Sequence, residues 1–249
     1  MKIIASWGSS GSGKTTLALA IAAELAKRKK DVLIISTDTR TPLLPVALPT
    51  VKGIDGRNSI GTVFAGQEIT DATLKDKIVR HPKSSHIYVM GYASGEQPAL
   101  TYTPPSRDGA TALFSLLSSS PFHYLIVDCD SSAIFDHTTL AAIELADIGL
   151  LSVTPDVKGY EYRKSATAWL TGNDVFHAER FVRVASPVMP YTPLAGVRAL
   201  FGGFDVELPF VQSVAEKMMA GELIGGLDGV AGVRYMEEIR KIADRIEKE

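Results

Sequence analysis

The chain has 249 residues, of which 45% are hydrophobic and 22% charged, which is enough for one large α/β domain or two small ones. Its net charge of −2 excludes a global basic field that would attract nucleic acid or anionic lipid, and leaves only a local basic patch open. Cys129 is the only cysteine, so an intramolecular disulfide is impossible and a reducing cytoplasm is the expected location. The sequence predicts neither a signal peptide nor a transmembrane segment, since its apolar runs are too short to span a bilayer.

The first predicted strand, residues 3–7, leads into a loop that fits the pattern G-x-x-x-x-G-K-S/T. The loop reads Gly8-Ser9-Ser10-Gly11-Ser12-Gly13-Lys14-Thr15-Thr16. Glycines allow backbone angles that a Cβ forbids, so successive amides can turn inward on an anion. Lys14 supplies a point charge for β- and γ-phosphates, and the Thr15 hydroxyl is a hard ligand for Mg²⁺. We therefore predict a phosphate-binding loop; a glycine-rich turn that binds nothing is the alternative.

The residues after this loop predict a helix and then a second strand. Leu17, Ile21 and Leu25 recur at helical spacing, and residues 27–30 place four cations at the negative end of the helix dipole. Residues 31–36 form a continuous apolar run, which is typical of a parallel strand buried on both faces.

Asp38 follows this second strand, within Thr37-Asp38-Thr39-Arg40-Thr41-Pro42. Ligands of open parallel sheets bind outside the carboxyl ends of the strands, so Asp38 is expected near the phosphates. There it would orient the attacking water or a magnesium-bound water. A turn aspartate that only caps the following segment is the alternative.

The middle of the chain predicts loops that alternate with short elements. Prolines and glycines in residues 41–58 indicate an irregular and mobile loop. The other predicted elements here are a short helix at 60–66, an amphipathic helix at 71–79, a strand at 87–90, a loop at 96–107 and a helix at 108–118.

A second decisive stretch is His123-Tyr124-Leu125-Ile126-Val127-Asp128-Cys129-Asp130. An apolar strand that ends in an acid is the Walker B form, so Asp128 is expected to hold the magnesium shell opposite Thr15. Whether Asp130 contacts water, metal or only a backbone amide is left open. Cys129 is expected to be an inert, partly buried thiol.

Further along, buried strands are predicted at 147–153, 180–185 and 204–209, and helices at 160–170 and 235–249. The last helix mixes acids and bases and is expected to pack on the domain rather than on a membrane. The five histidines show no metal-ligand spacing.

Taken in order, these motifs resemble the MinD/ParA class of P-loop ATPases. The matching stretches are 8–16, 37–42, 60–66, 125–128, 153–156 and, near the end, 207–210 with 221–222. The resemblance implies a single P-loop NTPase domain over residues 1–249. It also implies an α/β fold with a doubly wound, mainly parallel sheet of about seven or eight strands and helices on both faces. It further implies a nucleotide-dependent homodimer that sandwiches ATP, an unidentified protein partner and slow, Mg²⁺-dependent hydrolysis used as a positional or assembly switch.

The resemblance also implies roles for individual residues. Lys14 would bind the β- and γ-phosphates, Thr16 would reach the α-phosphate, and Asp38 would serve the lytic water, so Lys14 and Asp38 are the predicted catalytic residues. The Mg²⁺ ion would be held by Thr15, Asp38 and Asp128. The loop residues 8–16 would bind the nucleotide, and Pro209 with Phe210 would lie against adenine.

Two departures from the family pattern stand out. The signature lysine after the first glycine of the loop is replaced by Ser9, so the charge expected to activate hydrolysis across the dimer is missing, and Lys158 or Arg163 of a second copy is one candidate replacement. The asparagine expected to read the base is replaced by Ala185-Ser186-Pro187, which leaves base selectivity open. The loss of the signature lysine, together with Asp38-Thr39-Arg40-Thr41-Pro42 after the second strand, is similar to divergent ParA-like ATPases of the TadZ/CpaE type.

Two alternatives to an ATPase switch remain. The first is a non-hydrolysing, ATP-dependent scaffold for a secretion, pilus or partition system. The second is a small-molecule kinase or ligase on the same fold, in which Tyr92, Ser94 and Arg107 line an acceptor pocket. DNA binding is open within the class but is not supported by the net charge of −2.

Overall fold

The structure, a computed structural model, describes residues 1–66, 69–132 and 136–248. The strands are β1 (Lys2–Gly8), β2 (Val32–Ser36), β3 (Val79–Arg80), β4 (Ile87–Met90), β5 (Tyr124–Asp128), β6 (Ile148–Val153), β7 (Phe181–Val188) and β8 (Val206–Pro209). The helices are α1 (Lys14–Lys27), α2 (Leu43–Ala47), α3 (Gly61–Phe64), α4 (Asp71–Lys75), α5 (Pro98–Thr101), α6 (Arg107–Ser118), α7 (His137–Leu145), α8 (Val157–Gly172), α9 (Leu194–Phe201), α10 (Gln212–Met219) and α11 (Gly229–Lys248).

Within the described residues the eight strands form one sheet in the order β3-β4-β2-β5-β1-β6-β7-β8. Every neighbouring pair is parallel except β3 and β4, which are antiparallel at the edge. The strands β1, β2 and β5 lie side by side, so their carboxyl ends, with the loop after β1 and with Asp38 and Asp128, meet at one edge of the sheet. The predicted α/β fold is confirmed.

The central strands are buried because helices cover both faces of the sheet. On one face Ile4 packs with α1 and α11, where Ile239 and Ile242 form the apolar stripe of the last helix. On the other face Ile3 and Trp7 pack with residues of α6, α7 and α8. Alternate residues of β1 thus enter different cores, as the twofold period of a strand requires.

Three local predictions were wrong in detail. The helix predicted at 71–79 ends at Lys75, because Val79 instead pairs with Val89 as an antiparallel edge strand. The loop predicted at 41–58 contains α2, whose Leu43 and Leu44 are buried in the core. The loop predicted at 96–107 contains the short helix α5. For Val79 and for α2, tertiary contacts overrode a local composition signal.

The last predicted helix is confirmed and longer than expected, since it begins at Gly229. The single-domain organisation over 1–249 stays a prediction, and Glu249 lies outside the described residues. None of the helices in the described ranges has the length and apolar character needed to cross a membrane.

Candidate functional site

The loop between β1 and α1 packs against β6 through Gly8. The backbone of Gly8 has φ +150°, and an added Cβ would lie 1.7 Å from the carbonyl oxygen of Ser152. The next amide, of Ser9, donates to that same oxygen at 3.0 Å, and the Ser152 hydroxyl donates to the Ser12 carbonyl at 2.8 Å. Only glycine permits this approach, so the first glycine of the motif anchors the loop to the neighbouring strand.

The same loop presents backbone amides without protein acceptors. Gly11 and Gly13 both have left-handed backbone angles, and Gly13 precedes α1 without a side-chain cap. Among the described residues, the amides of Ser10, Gly11 and Gly13 have no hydrogen-bond acceptor. The first turn of a helix adds further unpaired amides and a positive dipole end. This arrangement is suited to an anion.

Lys14 lies beside these amides and is held by two oxygens of the chain. Its ammonium donates to the Ser131 hydroxyl at 2.6 Å and to the Ser9 carbonyl at 3.2 Å. Burial lowers the pKa of Lys14 below its ordinary value, although the nearby carboxylates of Asp128 and Asp38 favour the charged form. The predicted cation is therefore in place next to the loop.

Asp128 ends β5 opposite Thr15 and is almost fully buried. The Thr15 hydroxyl donates to Oδ2 of Asp128 at 2.8 Å, while Oδ1 is buried without a hydrogen-bond partner. Burial raises the pKa of Asp128 to about 6. A buried, unpaired carboxylate oxygen beside a threonine hydroxyl is a donor set that fits Mg²⁺.

The described residues contain no cluster of three or more histidine, cysteine or acidic side chains that could hold a metal by themselves. A magnesium ion beside Thr15 and Asp128 would therefore need oxygens of phosphate or water to complete its shell. The 2.8 Å hydrogen bond places Asp128 opposite Thr15, whereas the role of these residues as metal ligands stays a prediction.

Asp38 lies half-buried after β2, close enough to Lys14 for its charge to raise the lysine pKa. Its Oδ1 accepts the amides of Arg40 at 2.8 Å and Thr41 at 3.1 Å. Asp38 therefore stands on the phosphate side of the sheet and also caps its own turn. Both interpretations of this residue describe part of its geometry.

Asp130 is engaged with protein groups. Its carboxylate accepts the Ser132 amide at 2.6 Å and contacts Nη2 of Arg40 at 3.1 and 3.2 Å. Cys129 between the two acids is buried, and burial raises the pKa of its thiol well above the ordinary value. The expectation of an inert thiol agrees with this environment.

A cavity of about 300 Å³ opens beside the loop. It is lined by residues of the loop and the start of α1, of the carboxyl ends of β7 and β8, of the two residues after β8, and of α10 and α11: Gly11, Gly13, Thr16, Ser186, Pro187, Pro209, Phe210, Val211, Val214, Ala215, Met218 and Tyr235. The structure thus brings the predicted pair Pro209 and Phe210 to the loop. Sequence reasoning missed the wall formed by α10, although its apolar residues at positions 211, 214, 215 and 218 follow helical spacing.

Residues 3–245 match the family described as the CobQ/CobB/MinD/ParA nucleotide binding domain. The chain belongs to this family. The septum site-determining protein MinD of Escherichia coli is 27% identical over 156 residues, which are 62% of this chain and 53% of MinD. The chain therefore spans about half the length of the curated relatives it matches.

Two solved structures share the fold of this MinD/ParA-family chain. MinD from Pyrococcus horikoshii, complexed with Mg-ADP, is 16% identical and superposes with a TM-score of 0.72, covering 100% of this chain and 97% of that one. The putative plasmid partition protein of Borrelia burgdorferi, bound to AMPPNP, is 15% identical with a TM-score of 0.78, covering 99% and 100%. The predicted MinD/ParA class is confirmed, whereas the finer likeness to TadZ/CpaE-type proteins stays a prediction.

At the position of the family's signature lysine, the side chain of Ser9 points into the protein. Ser9 is 5% exposed, and its hydroxyl accepts the amide of Thr154 at 3.2 Å. Of the two cations considered as substitutes, Arg163 is already used within the chain. Its guanidinium donates to the Phe201 carbonyl at 2.9 Å and stacks over the Tyr160 and Phe201 rings. Lys158 is exposed on the first turn of α8.

Proposed function

We propose that this chain binds ATP with Mg²⁺ at the edge where β1, β2 and β5 end and hydrolyses it slowly as a positional or assembly switch. The observation that carries the proposal is Asp128, whose buried, unpaired oxygen lies beside Thr15 at the mouth of the loop. Membership of the family supports nucleotide binding. Solved neighbours of the same fold are complexed with Mg-ADP or bound to AMPPNP, which supports the choice of ligands.

In this proposal the loop amides and Lys14 bind the β- and γ-phosphates, and Thr16 binds the α-phosphate. The side chains of Thr15, Asp38 and Asp128 hold Mg²⁺, directly or through water. When bound, Mg²⁺ neutralises charge on the phosphate oxygens. The cavity beside the loop takes the base, with Pro209 and Phe210 against adenine.

Hydrolysis needs one water positioned at the γ-phosphorus. As the water oxygen bonds to this phosphorus, the bond to the β,γ-bridging oxygen breaks, so that ADP and phosphate result. Asp38 orients the water and receives its hydrogen bond, and Lys14 stabilises the charge that develops on the phosphate oxygens. Both residues lie on the phosphate side of the sheet.

The proposed switch is a nucleotide-dependent homodimer that acts in the cytoplasm on a protein partner yet to be identified. A cleft of about 370 Å³ on the loop side is lined by Gly11, residues 154–156 and Tyr191. Tyr191 is 80% exposed, which favours a docking role for this side. DNA as a further ligand is not supported by the net charge of −2.

Calorimetry with ATP and millimolar Mg²⁺, together with phosphate release, tests this function. Lys14→Ala should abolish both signals. Lys27→Ala is the matched control, since Lys27 is an exposed lysine at the far end of the same helix α1. Absence of ATP binding by the wild type, or equal activity of the two variants, would rule the proposal out.

A non-hydrolysing ATP-dependent scaffold is the second candidate, and one observation favours it. Ser9 is uncharged and its side chain points into the protein, so the loop lacks the charge of the family's signature lysine. Tight ATP-dependent dimerisation with negligible phosphate release would support the scaffold over the hydrolase.

The kinase or ligase alternative finds no support in the geometry. Tyr92 is a core residue with 5% exposure, and Arg107 is paired with Glu144 at 2.8 Å on the surface. These two residues therefore do not line a common acceptor pocket with Ser94.

A further inference from the structure

The absence of the signature lysine raises the question of which cation of this chain meets the terminal phosphate. Within the described part of the chain, the side chains of Lys14 and Arg40 interact electrostatically with the carboxylates of the site. Lys14 lies in the field of Asp38, Asp128 and Asp130, and Arg40 is ion-paired with two of these acids. Among the described basic side chains, Arg40 is therefore a second cation, besides Lys14, on the phosphate side.

Arg40 is held there by both its backbone and its side chain. Its amide donates to Oδ1 of Asp38 at 2.8 Å, and its Nε lies 3.8 Å from the same oxygen. Its Nη2 contacts both oxygens of the Asp130 carboxylate, at 3.1 and 3.2 Å. The guanidinium thus lies between Asp38, which is proposed to orient the water, and Asp130, which follows β5.

The burial of this ion pair is unequal. The side chain of Asp130 is 7% exposed, whereas that of Arg40 is 61% exposed. A guanidinium has five N–H donors, and the contacts of Arg40 with other described residues use Nη2 and, at longer range, Nε. Arg40 can therefore accept a second anion while it remains anchored by Asp130.

A triphosphate bound at this site would need the cations of the site as partners. The described cluster contains three carboxylates and two cations, and a bound triphosphate adds several negative charges. Guanidinium groups bind phosphate oxygens in a bidentate, charge-assisted geometry, which is stronger than a neutral hydrogen bond. A terminal phosphate above Lys14 could bind the N–H donors of Arg40 that Asp130 leaves free.

We propose that Arg40 binds the terminal phosphate of ATP from within the same chain and supplies the charge that the signature lysine supplies elsewhere in the family. This inference rests on the proposed function. Asp130 is then a positioning residue that holds Arg40 ready in the nucleotide-free protein. The charge needed for hydrolysis comes from the segment after β2, and no residue of a second copy is required for it.

The test compares Arg40→Ala, Arg40→Lys and Asp130→Asn by calorimetry with ADP–Mg²⁺ and with ADP–aluminium fluoride–Mg²⁺, a mimic of the transferring phosphate. Arg40→Ala should leave ADP affinity unchanged, weaken the mimic about 10-fold or more and slow phosphate release about 100-fold. Arg40→Lys should retain part of the affinity for the mimic and part of the rate of phosphate release. Asp130→Asn keeps an acceptor oxygen for Arg40 but loses the charge that holds it, so it should weaken binding of the mimic by less than Arg40→Ala does.

Arg57→Ala is the matched control, because Arg57 is an exposed arginine paired with Asp55 in the segment that follows. It should behave as wild type, and melting temperatures confirm that each variant is folded. Equal losses of affinity for the fluoride complex in Arg40→Ala and Asp130→Asn would mean that the Arg40–Asp130 pair is only a structural contact. This result would overturn the inference. A Lys158→Ala variant that loses phosphate release while Arg40→Ala keeps it would assign the charge to the second copy instead.

Failure of the proposed function has a different signature. Wild-type protein that binds neither ADP nor its fluoride complex would overturn ATP binding and the role of Arg40 together. Wild-type protein that binds ADP but gains no affinity from aluminium fluoride, with Arg40→Ala indistinguishable, would overturn the role of Arg40 alone.

Discussion

Thr15 and Asp128, which are 113 positions apart in the chain, are joined by a hydrogen bond of 2.8 Å. The contact follows from the sheet, since β5 lies beside β1 and Asp128 is in register with Ser6, near the start of the loop. Thr15 satisfies one carboxylate oxygen and the other stays buried without a partner. The missing hydrogen bond on one oxygen of Asp128 affects the stability of the fold as well as ligand binding.

The first prediction concerns the pH dependence of stability without nucleotide. The pKa of Asp128 is about 6 in the folded chain against an ordinary value of 3.8. The folded state binds this proton more tightly, so the group favours folding most below about pH 4, and this contribution is lost as the pH rises to about 6. The loss amounts to about 3 kcal/mol.

Asp128→Asn removes this titration and keeps an acceptor for Thr15. The variant should therefore gain free energy of unfolding relative to wild type between about pH 4 and pH 7, by up to about 3 kcal/mol. Urea unfolding at a series of pH values in the presence of a chelator measures the difference. Parallel pH curves for the two proteins would contradict the prediction.

The second prediction compares two glycines of the loop. Gly8→Ala places a Cβ 1.7 Å from the Ser152 carbonyl oxygen and should lower the free energy of unfolding by about 4 kcal/mol or more. Gly11→Ala meets no atom within 4 Å and has only the strain of its positive φ, about 1–2 kcal/mol. Urea unfolding of both variants checks the order. Similar losses would mean that the loop does not pack on β6 as described.

The third prediction concerns the base cavity. Phe210 is 40% exposed, so Phe210→Ala should change the unfolding free energy little. It should weaken ATP binding about 5- to 30-fold through the loss of stacking, and leave binding of inorganic tripolyphosphate unchanged. Calorimetry with both ligands separates the two effects. Met219→Ala, at an 81% exposed position ending α10, is the control. An equal loss for both ligands would place the base elsewhere.

The fourth prediction concerns the packing of α1 against α11. Arg28 contacts Asp244 and Glu247 at 2.7 Å each and Glu24 at 3.3 Å. Because this network is partly shielded, Arg28→Ala should lower the free energy of unfolding by about 1–2 kcal/mol, and by less at high salt.

Arg57→Ala provides the comparison, since the Arg57–Asp55 pair is exposed and should contribute less than about 0.5 kcal/mol. Chemical denaturation at low and at high ionic strength measures both variants. A loss in Arg28→Ala that does not respond to salt would indicate lost packing of the aliphatic stem instead of charge pairing.

The sequence by itself determined the fold class, the loop at 8–16 and the acid at the end of β5. These features depend on a few consecutive residues, because a phosphate loop is a property of local backbone conformation and a buried parallel strand is a continuous apolar run. The pairing of Thr15 with Asp128 also followed, since neighbouring parallel strands bring their carboxyl ends to one edge.

Only the tertiary structure decided how the other side chains of the site are arranged. It turned Ser9 inward against Thr154, placed Ser131 on Lys14 and joined Arg40 to Asp130. It also paired Val79 with Val89, where local pattern had predicted a helix. The partners in these contacts are far apart in the chain or held in irregular loops, so they depend on strand order and loop geometry, and local sequence patterns do not encode either one.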